Sequence, residues 1–92
     1  MIEPAVRIIN HAALDDGKVS YWKNGGDWFL YLPYCGIGRL TLHSVVEHED
    51  GTISVTPSVL MTGHKDGGTF SAAYGTVTQR HGFLTRGQWH EG

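Results

Sequence analysis

The sequence predicts an all-β fold, a small antiparallel sandwich or partly open barrel of short strands and hairpins, as a single domain over residues 1–92. Three observations lead there. Turn signals recur about every ten residues: Asp16-Gly17, Asn24-Gly25-Gly26, Cys35-Gly36-Ile37-Gly38, Asp50-Gly51, Asp66-Gly67-Gly68 and Arg86-Gly87. The segments between them are rich in Val, Ile, Thr, Tyr, Phe and Trp, which suit a pleated, half-buried surface. Several of them alternate apolar and polar residues, as strands with one wet face do.

Taken in order, strands are expected over residues 5–9, 18–23, 27–32, 39–49, 52–61, 69–79, 82–85 and 88–91. The clearest hairpin joins 18–23 to 27–32 through Asn24-Gly25-Gly26, where glycine supplies positive φ without a Cβ clash. Its tip is expected to be exposed. A second hairpin joins 39–49 to 52–61 through Asp50-Gly51. Within it Leu40 and Leu42 share one face, and Ile53 and Val55 alternate with Ser54 and Thr56. Pro57 has no amide hydrogen, so a bend or an edge belongs there. Helix is nearly absent: residues 11–15 could form a single turn capped by Asn10, but a loop is the expectation at this length. The expected core is Val6, Ile8, Val19, Phe29, Leu40, Leu42, Ile53, Val55, Leu60, Phe70, Val77 and Phe83.

Size and charge bound the function. A 92-residue chain buries roughly 64% of its surface, enough for one small core. Charged residues make up 17% of the chain and hydrophobic ones 40%, which argues against disorder. The net charge is −2 and the seven Lys and Arg residues form no stripe, so neither nucleic acid nor an anionic membrane is an expected partner. The longest apolar run, Trp28 to Pro33, is far short of the ~18 residues of a membrane span. The first residues lack the pattern of a secretory signal, so the cytoplasm, or a particle assembled there, is the expected setting.

Residues able to do chemistry are scattered. The single cysteine, Cys35, rules out an internal disulfide. It lies in a turn with only Arg39 nearby to activate it, so an inert thiol is expected rather than a nucleophile. There are six histidines, His11, His43, His48, His64, His81 and His90, but no Cys-x-x-Cys and no His-x-x-x-His. Asp15-Asp16 and Glu47-His48-Glu49-Asp50 read as solvated charges at turn edges. Gly36-Ile37-Gly38 is followed by no helix that would make it a phosphate loop. No cofactor, metal or catalytic residue is expected. The aromatics are denser: Tyr21, Trp22, Trp28, Phe29, Tyr31 and Tyr34 fall on both faces of one hairpin. One face can be core. The other is either covered by another segment or offered to a partner, and Trp22, Asn24, Trp28, Tyr31 and Tyr34 are the candidate contact residues.

Three segments carry a resemblance: Leu32-Pro33-Tyr34-Cys35-Gly36, Val55-Thr56-Pro57-Ser58-Val59-Leu60, and Arg80-His81-Gly82-Phe83-Leu84-Thr85-Arg86-Gly87-Gln88-Trp89. In order and rough spacing the chain resembles a family of small phage and prophage proteins. That family has a Cys-Pro-x-Cys-Gly start, a central Thr/Ser-Pro-Ser-Ile/Leu, and a Cys/x-His-Gly-Phe/Tyr-Leu-Thr-Asp-Gly-x-Trp end. The family pattern looks like a small zinc-ribbon-type site. Carried over, its ligand positions fall on Leu32, Cys35, Arg80 and His81, so half of the set is gone and Cys35 and His81 remain as a degenerate candidate site. The resemblance implies that the Cys35 turn packs against Arg80-His81, with Leu32 in the same cluster and Arg80 turned to solvent or to an acid. It also implies phage origin without a particular activity.

The expected function is therefore protein–protein contact without catalysis, as a virion component akin to a capsid-decoration protein, with a phage capsid protein as partner and a homo-oligomer possible. The alternative is an accessory protein of the host cytoplasm that binds and inhibits a host protein. A thiol or metal hydrolase built on Cys35 and the histidines is the least supported reading.

Overall fold

The computed structural model describes residues 2–15, 17–33, 35–62 and 79–92. Within them run β1 (Ile2–Pro4), β2 (Val6–Arg7), β3 (Ser20–Asn24), β4 (Asp27–Leu32), β5 (Gly36–Arg39), β6 (Ser44–Glu47), β7 (Ile53–Thr62), β8 (Gln79–Thr85) and β9 (Gln88–Glu91). They form a five-stranded sheet of order β1-β9-β8-β7-β6 and a four-stranded sheet of order β2-β3-β4-β5. All neighbours are antiparallel except β2 and β3. The sheets pack on each other without closing into a barrel. Among the described residues there is no α-helix. The segment expected as a loop holds a 3₁₀ turn, His11–Ala13, with the Asn10 Oδ1 accepting the Ala12 N–H at 2.9 Å.

The turn chemistry works as the sequence implies. Gly25 and Gly26 have φ of 61° and 91° and connect the paired Asn24 and Asp27 in an exposed tip. The β8–β9 hairpin turns through Arg86 and Gly87, both at positive φ. Two expectations need correction. Gly36-Ile37-Gly38 is strand rather than turn, because Pro33 sits in the tight turn between Leu32 and Cys35 and β5 then pairs back along β4. The long strand expected over 39–49 is broken at residues 40–43, leaving only Ser44–Glu47. The break ends the alternation, so Leu40 is buried while Leu42 is 91% exposed. All but the last residue of the strand expected over 69–79, together with Phe70 and Val77, lies outside the described residues.

The first strands belong to different sheets. β1 pairs with β9, and two residues later β2 pairs with β3. At the crossing the Ala5 N–H donates to the Gly87 carbonyl and the Val6 N–H to the Val19 carbonyl, both at 2.8 Å. Between the sheets lies one core. Val19, Tyr21, Leu30, Leu32 and Cys35 come from the four-stranded side, and Ile53, Val55, Val59, Met61, Leu84 and Trp89 from the other.

Strand β7 decides which residues reach that core. Val55 pairs with Leu84 and Val59 with Gly82, so β7 advances four residues where β8 advances two. A bulge of two extra residues preserves the period-2 alternation, whereas a bulge of one would reverse it. Ile53, Val55, Val59 and Met61 therefore all face inward, and Leu60 faces out. Leu60 and its neighbour Phe83, expected in the core, are 57% and 47% exposed. Val6 is also exposed, since β2 is an edge strand of only two residues, and Ile8 and Phe29 are only half-buried.

Two arginines tie the sheets at their edges. The Arg80 guanidinium donates to Glu3 and Glu91 and, at 3.1 Å, to the Pro33 carbonyl in the β4–β5 turn. It lies 5.9 Å from the Trp89 ring centre, and the indole N–H donates to Glu91 at 2.6 Å. Arg7 donates to Glu47 at 2.7 Å and to the Gly51 carbonyl at 2.9 Å, joining β2 to the β6–β7 hairpin. The Arg80 side chain is only 12% exposed, so removing its charge partners leaves a poorly solvated cation.

Two predictions follow from this packing. The Arg80 guanidinium holds the Glu91 carboxyl below its ordinary value of 4.5. That contribution to stability is fully present above about pH 4.5 and is lost as the pH falls through the lower folded-state value. Glu91→Gln is expected to flatten the acid limb of the stability profile, and Arg80→Met to cost about 3 kcal/mol at neutral pH, both read by urea unfolding. Gly82→Ala and Gly38→Ala should diverge. A Cβ on Gly82 would lie 2.3 Å from the His90 carbonyl oxygen and 2.6 Å from the Trp89 ring, whereas on Gly38 it would meet the mobile end of Met61. The first is expected to cost about 3 kcal/mol and the second about 1 kcal/mol or less.

Candidate functional site

The aromatic hairpin is structural. Tyr21 and Trp28 point to the inner side, with ring centres 6.3 Å apart. Trp22, Phe29 and Tyr31 occupy the opposite face, where Trp22 stacks on Phe29 at 5.6 Å. That second face is covered, contrary to its reading as a contact patch: Trp22 is 3% exposed and Tyr31 is fully buried. The physical reason is area. An indole and a phenol left in water forfeit several kcal/mol that a small domain needs for folding. Trp28 is half-buried, with the Arg7 and Lys23 cations 5.1 and 5.6 Å from its ring centre. Asn24 alone stands exposed, at the hairpin tip. Tyr34 lies outside the described residues.

Cys35 and His81 are not brought together either. Cys35 is in the core, and its thiol donates to the Met61 carbonyl at 3.1 Å. His81 is exposed and pairs with the outward-facing Leu60. The two side chains thus belong to opposite faces of the five-stranded sheet, and the expected contact between them is absent. The neighbouring expectations fare better: Leu32 shares the core cluster with Cys35, and Arg80 is paired with acids and reaches the Pro33 carbonyl. Among the described residues, no three His, Cys, Asp or Glu side chains gather as a metal site requires.

The structure instead gathers apolar and imidazole groups on the outer face of the five-stranded sheet. Cross-strand register sets Ile2 beside His90, His90 beside Phe83, and His81 beside Leu60. Ile2, Leu60 and Phe83 are 61%, 57% and 47% exposed. The His81 ring is held from three sides. Its Nδ1 lies 2.5 Å from the Gly92 main-chain oxygen, its Nε2 lies 3.0 Å from the Ser58 hydroxyl, and Phe83 meets it edge-on with ring centres 6.0 Å apart. Ser58 is fixed in turn, because its carbonyl accepts from His43 Nε2 at 3.1 Å. Ile2, Ser58, Leu60, Phe83 and His90 were not foreseen as a site. The sequence carried no signal for it, because only the two-residue bulge in β7 sends Ser58 and Leu60 outward together.

A shallow depression of about 580 Å³ lies at the β6–β7 turn, lined by Glu47, His48, Glu49, Asp50 and Arg86. Ser54 ties two of these residues together: its hydroxyl accepts the Arg86 N–H at 2.9 Å and shares a 2.7 Å hydrogen bond with His48 Nε2. The Asp50 carboxyl is held below its usual range, chiefly by hydrogen bonds from the Thr52 hydroxyl and amide. These charges serve the turn, as their position in the sequence implies.

Comparison with protein-family models, curated proteins and solved structures finds no match for this chain.

Trp22 and Asn24 separate the structural from the solvent-facing part of the hairpin. Trp22→Ala is expected to cost about 3–5 kcal/mol by chemical denaturation. Asn24→Ala is expected to stay within about 0.5 kcal/mol.

Proposed function

We propose that this protein works by protein–protein contact, with the outer face of the five-stranded sheet as its contact surface. The observation that carries the reading is the exposure of Ile2, Leu60 and Phe83 around His81 and His90, with no Lys, Arg, Asp or Glu side chain set among them by the strand register. Three exposed apolar side chains on open sheet are costly to leave in water and suit an apolar partner surface. The partner is a phage capsid protein and the setting a virion. That part of the proposal is supported by the ordered motif resemblance to phage and prophage proteins and by a small all-β body suited to decorating a lattice.

The test is substitution of the face. Leu60→Asp with Phe83→Asp is expected to preserve folding, because both side chains already meet water, and to reduce recovery of the chain in purified particles at least tenfold, read by mass spectrometry. Full incorporation of the double variant would overturn the choice of face. Absence of the wild-type chain from particles, with retention on a single host protein, would replace the virion reading with that of an intracellular accessory protein.

A further inference from the structure

We infer that Ser58 and His81 form a nucleophile–base pair able to accept an acyl group from activated esters. The inference is independent of whether the same face docks a protein. It also lies outside the sequence-based expectation of no catalysis, which weighed Cys35 as the nucleophile.

The geometry follows the order that such chemistry needs: nucleophile, base, orienter. The Gly92 main-chain oxygen is only an acceptor, so at 2.5 Å it selects the His81 tautomer with the proton on Nδ1. Nε2 then carries a lone pair, and the Ser58 hydroxyl 3.0 Å away donates to it. The Phe83 edge limits rotation of the imidazole, and His43 anchors the Ser58 carbonyl. Nucleophile and base are thus both fixed before any substrate arrives, and His81 is open to solvent. Leu60 and Phe83 flank the pair as an apolar shelf for a short acyl chain.

In the step, Ser58 Oγ attacks the ester carbonyl carbon and its proton passes to His81 Nε2. The Oγ–C bond forms, the bond to the leaving oxygen breaks, and the proton leaves with the alcohol. Water reverses the sequence, releasing the carboxylic acid and restoring the serine. The pair supplies a nucleophile and a base. Amides and unactivated esters also need donors for the oxyanion, so the substrate class is an activated acyl ester such as an aryl ester.

The test uses the full chain with two probes, 4-nitrophenyl butyrate and an alkyl fluorophosphonate that serine displaces at phosphorus with loss of fluoride. Intact mass and peptide mapping are expected to place one phosphonyl group on Ser58, with none in Ser58→Ala. His81→Gln keeps a donor for the Gly92 oxygen and removes the base, and it is expected to slow labelling at least about 100-fold. Added imidazole should partly restore labelling in His81→Ala. His11→Ala, which removes an exposed imidazole in the 3₁₀ turn away from this face, should label at the wild-type rate. Thermal unfolding of each variant separates loss of fold from loss of reactivity. No label on Ser58 in the folded wild-type chain, or equal labelling in His81→Gln, overturns the proposal.

Discussion

The structure turns on the even bulge in β7. Its ten residues, Ile53–Thr62, form the longest described strand and contribute the largest share of the core from the five-stranded side. Four residues of β7 pass two of β8 between the pairs at Val55 and Val59, so both halves of the strand keep the same inward face. An odd bulge would send Val59 and Met61 into water and bury Leu60, since a one-residue slip moves a whole strand segment to the other face. The Cys35 thiol uses the Met61 carbonyl, β5 lies against the Met61 side chain at Gly38, and the Ser58 hydroxyl meets His81 on the far side. Core and candidate site are therefore two faces of one register.

Around that register the charged groups act as corner fastenings. Arg80 projects among Trp89, Glu91, Glu3 and the Pro33 carbonyl, so one guanidinium links β1, β8, β9 and the β4–β5 turn. Its low exposure makes the desolvation cost large, and several acceptors together offset it. Trp89 fills the space beside Gly82, where no Cβ fits, and its indole N–H finds Glu91. Arg7 makes the corresponding link at the β6–β7 turn in a more solvated setting, where screening leaves the ion pair little energetic weight and makes geometry its main contribution.

The same arrangement separates the two sets of aromatic and histidine residues that sequence alone presents as equals. The hairpin aromatics are consumed in packing: Tyr21 goes to the shared core, while Trp22 and Tyr31 are buried on the reverse face. The histidines of β8 and β9 stay at the surface and meet residues from β7 and β1. Contact and chemistry are therefore both proposed on the five-stranded sheet, where exposed apolar groups lie beside a fixed imidazole. The Ser58–His81 pair draws its order from main-chain groups, the Gly92 oxygen and the Ser58 carbonyl, which residue identities do not advertise.

Local chemistry was enough to determine the fold class, the Asn24-Gly25-Gly26 hairpin and the Arg86-Gly87 turn, and it marked Asn10 as the cap for any turn over residues 11–15. Positive φ, turn propensity and side-chain capping act within a few residues. The resemblance left Arg80 facing either solvent or an acid, and the packed corner beside Trp89 decided for Glu3 and Glu91. Tertiary structure decided what depends on distant strands. The glycines at 36 and 38 read as turn residues until β5 is laid against β4 and Met61, where the absence of a Cβ at Gly38 admits the Met61 side chain. Leu60 and Phe83 read as core until the size of the bulge is known, and residue types around Pro57 do not encode whether one or two residues loop out. Trp22 and Tyr31 read as a contact patch because alternation assigns them a face without saying whether that face is covered. Period and turn chemistry are properties of a few neighbouring residues. Register and coverage are properties of the assembled sheets, and these set which side chains this protein keeps for itself and which it presents.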